Sequence, residues 1–295
     1  MKKRKFYIVD VFAENKYSGN QLAVFLDAGD MSKNDMQRIA KEVNYSETTF
    51  ILSNKKEING YKVRIFTPEK EVPFAGHPTL GTAYIIQKEI INAKAKEVVL
   101  DLKAGNIPVR FKYKNTDPDI LFMKQNEPTF GKTFDKHVIS EALGLGEKDI
   151  MENFPVQMIS TGLPFIIVAL KSLKAVTEAH INKKLFYEVI KNKKAKAVLI
   201  FSKETYRKKN DLNVRVFADY FGVPEDPATG SANGCLAGYL IKHDYFKSKK
   251  INIRVEQGYE IGRPSKLYLK ARRKDGKIEV YVGGKVFLTA QGEFI

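Results

Sequence analysis

The chain has 295 residues, 43% of them hydrophobic and 28% charged, with a formal net charge of +16. Those proportions fit a soluble protein of one large or two ordinary domains, and they exclude a disordered chain, a collagen-like chain and a membrane bundle. The charge alone would suit nucleic acid, but only ten of the fifty basic residues are Arg, and the Lys residues are spread along the whole chain with small clusters at 2–5, 191–196, 206–209, 247–250 and 270–274. Arg is the residue that base and phosphate recognition favours, so the pattern reads as a lysine-coated surface and no nucleic-acid partner is expected.

The opening MKKRKFYIVDVFAENKYSGN is basic, but Asp10 and Glu14 break the apolar run that a signal peptide needs. The longest clearly apolar stretch, Phe165 to Leu170, is far below the roughly 20 residues that span a bilayer. A soluble, cytoplasmic protein with no membrane partner is expected. Short strands dominate from there on. FYIVDVF (6–12), LAVFLD (22–27), TTFILS (48–53), YKVRIFT (61–67) and EVVLDL (97–102) are rich in β-branched and aromatic residues. PVRFKYK, PFIIVAL, KAVLIFS, LNVRVFA, INIRVEQ, KLYLKAR and IEVYVGGKVFLTA continue the series. Helical spacing appears in 31–44, behind a Ser cap, in 135–145 and in 183–192. The expected class is α+β with antiparallel sheets, because the connecting turns look too short for crossover helices.

The chain repeats itself. Val63-Arg64-Ile65-Phe66 is echoed by Val214-Arg215-Val216-Phe217, and each is followed by a loop with Pro and acid residues and then a small-residue helix. Those helices are PFAGHPTLGTAYII (73–86) and PATGSANGCLAGYLI (227–241), which align on Gly76 and Gly230; upstream, SGNQLAVFL resembles TGLPFIIVAL. Two similar lobes are expected, with the join about 114–130.

Glycine in a helix interior costs about 1 kcal/mol against Ala. Two glycine- and alanine-rich helices therefore read as buried central ones that neighbouring strands approach closely. Packing alone accounts for them; a functional reading adds that each N-terminus offers N–H groups to a carboxylate or phosphate. His77, Thr229 and Ser231 stand at those starts. Single residues carry less. Glu47, in the connector NYSETTF, reads as solvated when taken alone. Asp226 in EDPATGSA suits a turn or helix start, His77 a backbone contact and Ser231 an N-cap. Cys235 reads as a packed thiol. One cysteine permits no internal disulfide, and the histidines at 77, 137, 180 and 243 lack zinc-site spacing. Composition and spacing name no reaction.

At these residues the chain resembles the phenazine-biosynthesis isomerase-like (PhzF-like) family, relatives of diaminopimelate epimerase. The motifs are YIVDVFAENKYSGNQLAV (7–24), NYSETTFIL (44–52), RIFTPEKEVPFAGHPTLGTA (64–83), EDPATGSANG (225–234), EQGYEIGRPS (256–265) and VYVGGKVFLTAQGE (280–293). The resemblance implies two pseudo-symmetric lobes, each a curled, mainly antiparallel sheet around a central helix. It places an N-terminal lobe at 1–128, joined by a returning strand at about 280–295, a C-terminal lobe at 129–279 and an active site in the cleft between them. A homodimer working without cofactor or metal is implied as well.

The implied chemistry is a proton shift that moves a double bond in a small, cyclic carboxylate, as in trans-2,3-dihydro-3-hydroxyanthranilate isomerase. Glu47 falls on the family's catalytic Glu and would be sheltered, with a raised pKa. His77 and Asp226 would orient the substrate and assist proton transfer. Gly76, Gly230 and Ser231 would bind it, the glycines by close backbone approach and Ser231 with nearby N–H groups by holding the carboxylate. The epimerase relatives use two cysteines, one at each helix start; here those regions read AGHP and ATGS, which disfavours a two-thiol epimerase or racemase. Gln21 stands where many relatives have Pro and is expected to touch none of the catalytic groups. A non-catalytic binder of small carboxylates is the alternative.

Overall fold

A computed structural model describes residues 3–295; Met1 and Lys2, at the head of the first basic cluster, lie outside the described residues. The chain opens with β1 (Arg4–Val11), β2 (Asn20–Phe25), α1 (Lys33–Val43), β3 (Thr48–Ile51), β4 (Tyr61–Phe66) and the two-residue β5 (Glu71–Val72). Next come α2 (Gly76–Ile85), prolonged by a π-helical stretch at Ile86–Ile91, then β6 (Glu97–Leu102), β7 (Gly105–Lys114) and β8 (Asp117–Lys124). It continues with β9 (Thr129–Phe134), α3 (Lys136–Ala142), β10 (Val156–Ser160), β11 (Pro164–Ala169), α4 (Leu173–Glu178), α5 (Lys183–Ile190), β12 (Val198–Ser202) and β13 (Leu212–Phe217). Last are α6 (Gly230–Lys242), β14 (Lys250–Gln257), β15 (Ser265–Lys274), β16 (Lys277–Gly284) and β17 (Val286–Phe294). The fold is mixed, mostly sheet, and divides into two compact units: the chain up to Lys124 with Gly283–Ile295, and Gln125–Val282.

In the first unit the hydrogen-bonded order is β17-β1-β2-β3-β4-β6-β7-β8. In the second it begins β9-β10-β11-β12-β13-β14-β15. Pair by pair the senses agree, with β2–β3 and β4–β6 parallel in one and β11–β12 and β13–β14 parallel in the other. The remaining pairs in these orders are antiparallel. The sheets are mainly antiparallel, as expected, and the four parallel pairs correct only the reading that the connections are too short for crossover helices. Each follows a helical crossover: α1, α2, α4 with α5, and α6. A parallel neighbour needs a long return path, and these helices supply it.

The sheet of the first unit is covered on both faces. From β2, Ala23 and Phe25 join Met36 and Ala40 of α1 in one core, with Phe50 and Phe66. The rings of Phe25 and Phe50 stack at 5.1 Å, and Phe50 and Phe66 meet edge to face at 5.5 Å. Burial of each such ring is worth about 1.5–3 kcal/mol. Leu22, one residue out of phase, faces α2 instead. The second unit alternates likewise. Val198 and Ile200 of β12 pack with α3, α4 and α5, while Phe201 meets Tyr239 of α6 at 6.0 Å.

The small residues of α2 and α6 have a steric reason. All ten residues of α2 are buried, so the helix shows no polar face. A Cβ on Gly81 would lie 2.6 Å from Leu22 Cδ2 and 2.9 Å from Val11 Cγ2. On Gly238 it would lie 2.7 Å from two Pro128 side-chain carbons. Neighbouring chain occupies the space a side chain would need.

Candidate active site

The starts of the two central helices differ from those of the other α-helices among the described residues. Ser32, Asp135, Ser172 and Asn182 cap α1, α3, α4 and α5 by accepting a backbone N–H. Ala75 and Thr229, the cap residues of α2 and α6, make no such bond. Gly76 and Gly230 are each the first residue of their helix, and both are buried. The first-turn N–H groups of α2 and α6 therefore gain no side-chain cap, and the positive end of each helix dipole can serve another anion.

An arginine fork holds the loop ahead of each start. Arg64 on β4 donates Nε and Nη2 to Glu71 at 2.8 and 2.9 Å. Arg215, at the matching place on β13, donates Nε and Nη2 to Glu225 at 3.0 and 2.8 Å. Each guanidinium also lies over the Phe two residues on, Phe66 or Phe217. The Arg64 fork, helped by Lys103, holds the Glu71 carboxyl down at about 2. Bidentate pairs of this kind fix geometry as well as contribute energy.

In the first unit Glu47 and His77 meet. Glu47 immediately precedes β3, and His77 is the second residue of α2. A buried bond of 2.8 Å between the hydroxyls of Thr49 and Thr82 ties those two elements together. His77 Nε2 lies 3.5 Å from Glu47 Oε2 and 3.2 Å from the backbone oxygen of Gln21. The side chains are 6% and 18% exposed for His77 and Glu47. Burial pushes the imidazole down to about 3, against a smaller upward pull from the Gln21 carbonyl. His77 is thus neutral near pH 7, and its contact with Glu47 is not an ion pair. A carbonyl only accepts, so Nε2 carries the proton and Nδ1 the lone pair. Gln21 therefore does touch a proposed catalytic group, contrary to expectation. It does so through its main-chain oxygen, which any residue at that position, Pro included, would supply.

In the second unit Asp226 and Ser231 flank the start of α6. The Asp226 amide donates to Val216 O at 3.0 Å. Its carboxylate accepts from the Thr229 hydroxyl through Oδ2. Ser231, half-buried on the first turn, makes no side-chain hydrogen bond among the described residues. Cys235 lies deeper in the helix, fully buried, near Thr161 Oγ1 at 3.7 Å and Leu163 O at 3.6 Å. Burial raises its thiol to about 11, so it stays protonated. Gln257 and Asn233, both wholly buried, complete the polar surroundings of Thr229; each lies inside a quoted motif, but sequence reasoning singled out neither. Among the described residues no group of three or more His, Cys, Asp or Glu could hold a metal ion. No helix there is long and apolar enough to cross a membrane.

A carboxylate beside a neutral, buried imidazole in one unit, and an acid and a hydroxyl around an uncapped helix start in the other, are groups suited to moving protons on a small anion. The comparisons agree with that class. A family model described as phenazine biosynthesis-like protein matches residues 9–292, and the chain belongs to that family. It is 33% identical to the trans-2,3-dihydro-3-hydroxyanthranilate isomerase of Pseudomonas chlororaphis, over 98% of this chain and 99% of that one. An uncharacterized isomerase of Clostridium acetobutylicum is 32% identical, over 100% and 99%. Among solved structures, the Bacillus anthracis phenazine biosynthesis protein of the PhzF family superposes with a TM-score of 0.91 at 28% identity, over the full length of both chains. The fold is of the diaminopimelate epimerase-like class.

Proposed function

We propose that the chain is an isomerase that shifts a double bond in a small, cyclic carboxylate by proton transfer through Glu47, with no cofactor taking part. The observation that carries this reading is the sheltered Glu47 carboxylate, 3.5 Å from a neutral imidazole that carries its proton on the near nitrogen. The carboxylate takes a proton from one ring carbon, the electron pair left behind moves the double bond, and the same carboxyl group returns the proton to another carbon. A single base serves both halves if it stays close to both carbons and water is kept out. His77 remains neutral throughout, its Nε2–H donated to the Gln21 carbonyl, and stands beside the Glu47 carboxylate without charge. Asp226 orients the substrate's polar substituents, and Ser231 with the N–H groups at Gly230 binds its carboxylate. Gly76 and Gly230, which carry no side chain, let the backbone come close to the substrate.

The test is proton NMR in D₂O with trans-2,3-dihydro-3-hydroxyanthranilate, the substrate in the name of the Pseudomonas relative. The wild type is expected to isomerise it or to exchange its ring hydrogen for deuterium. Glu47→Gln should slow this by about 100-fold or more while the protein stays folded and binds the compound. A fully active Glu47→Gln protein would sink the proposal. Binding without exchange by the wild type would turn the reading toward a carboxylate-binding protein.

A further inference from the structure

EQGYEIGRPS is a motif with no role in the reaction as proposed so far, yet its glutamine lies at the centre of a buried polar network. We propose that Gln257 is a positioning residue that fixes the carboxylate of Asp226 through the hydroxyl of Thr229. The proposal rests on the reading of Asp226 as a group that meets substrate.

Gln257 ends β14 and pairs on both sides, with Val214 of β13 and Ser265 of β15. Its side chain is wholly buried. The amide nitrogen donates to Asp226 O at 2.7 Å and to Thr229 Oγ1 at 3.1 Å. The amide oxygen accepts from the Thr229 N–H at 3.2 Å and from Asn233 Nδ2 at 2.9 Å. Both N–H groups and both lone pairs are in use. The amide cannot be turned over, because Asp226 O only accepts and Thr229 N–H only donates.

That fixed amide sets the direction of the next bond. The Thr229 hydroxyl has one proton. Since it accepts from Gln257, its own proton goes to Asp226 Oδ2, which closes a relay from amide to hydroxyl to carboxylate. A Thr at a helix cap ordinarily turns its hydroxyl toward the helix N–H groups; Thr229 turns away from them, toward Asp226. The backbone next to Gln257 supports the arrangement. Gly258 has φ +76°, and a Cβ there would lie 2.6 Å from Pro227 O and 2.5 Å from Arg263 O. Glu256, also wholly buried, accepts from the side-chain amides of Asn210 at 2.6 Å and Asn213 at 3.2 Å and from the Tyr206 amide. The end of β14 is anchored by Glu256 and held against the loop that carries Asp226.

Gln257→Glu keeps the shape and the accepting oxygen but loses both donated bonds. Because a buried charge there can prevent folding, Thr229→Val and Thr229→Ser form the second pair. Thr229→Val breaks the relay at constant volume, and Thr229→Ser preserves it. Crystal structures of the ligand-free variants come first. The Asp226 carboxylate should leave its wild-type orientation in Thr229→Val, and in Gln257→Glu if it folds, and keep it in Thr229→Ser. Kinetics follow with trans-2,3-dihydro-3-hydroxyanthranilate. Thr229→Val should lose about 10- to 100-fold in kcat with little change in KM, and Thr229→Ser should recover most of it. An unmoved Asp226 in Thr229→Val, or equal rates for the Val and Ser variants, overturns the proposal. A wild type inert toward the probe overturns the proposed substrate instead, and the crystal structures still decide the relay.

Discussion

Protonation of His77 should cost the first unit much of its stability, and the size of the effect follows from its burial. In the folded chain the imidazole titrates at about 3, against 6.5 as the ordinary value. The folded state therefore holds fewer protons than the unfolded state between those values, and stability must fall as pH falls. The contribution is fully present above pH 6.5 and is lost as acid drives the unfolded state to take up the proton. At pH 5 the loss is about 2 kcal/mol, and by pH 3 it approaches about 5 kcal/mol, at 1.36 kcal/mol per unit. The perturbation is His77→Gln, which retains an N–H for the Gln21 carbonyl but does not titrate. Its packing cost is the same at every pH and cancels when each protein is compared with itself. Urea unfolding followed by circular dichroism at pH 7.5 and pH 5.0 gives the two losses, and the wild type should lose about 2 kcal/mol more than the variant. Nitrogen-15 NMR of the four histidines supplies a direct reading: His77 should stay neutral at pH 5 with its proton on Nε2. Equal losses in the two proteins, or an imidazolium at pH 5, would refute both the burial argument and the neutral His77 of the proposed mechanism.

Two further outcomes follow from the central helices. Gly81→Ala improves helix propensity by about 1 kcal/mol, but the new carbon would lie 2.6 Å from Leu22 Cδ2. Overpacking costs about 1–3 kcal/mol, so the variant should unfold at lower urea than the wild type, and a gain in stability would show that the α2 contact relaxes freely. Cys235, buried and protonated, should resist a thiol reagent at pH 8 in the folded protein and react once in urea; Cys235→Ala should keep the isomerase activity, and its loss would bring the thiol back into the chemistry.

Most of the framework was legible in the sequence because its signals are local. Ser32 caps α1 as its place at the opening of MSKNDMQRIAKEVN suggests, and EVVLDL is β6 over 97–102 without adjustment. The echo of Val63-Arg64-Ile65-Phe66 in Val214-Arg215-Val216-Phe217 is matched in structure by two guanidinium forks and two cation–aromatic contacts. Other elements have no such signature. β9 reads TFGKTF, and its residues are half-buried or exposed, so no apolar alternation marks it. The six-residue α4 is too short for a periodic pattern, though Ser172 caps it. The π-helical stretch past Ile85 holds the same residue types as an ordinary helix end, and only the left-handed Asn92 closes it. The parallel pairs were hidden because strand composition records burial and not the direction of the neighbour. The site divides the same way. The candidate residues could be named one by one, but the tautomer of His77 depends on Gln21, fifty-six residues away in the chain. The role of Thr229 depends on Gln257, twenty-eight residues away.

The uncapped starts of α2 and α6 resist explanation by stability. A missing side-chain cap costs about 1 kcal/mol, and among the described residues the other four α-helices each have one. At α6 the residue for the task is already in place, since Thr229 is a good cap by type, but its hydroxyl is given to Asp226. At α2 the cap position is Ala75, which has no hydroxyl to give. Both loops are nonetheless held firmly, by the Arg64–Glu71 and Arg215–Glu225 forks. Rigid loops exclude slackness as the reason for the missing caps. Capping has been given up at two well-ordered places, each carrying residues with proton-handling or hydrogen-bonding groups, and stability is recovered from burial of all of α2 and nearly all of α6. That is the pattern expected where the first-turn N–H groups serve a ligand, and it supports the binding role proposed for Ser231 over a capping one.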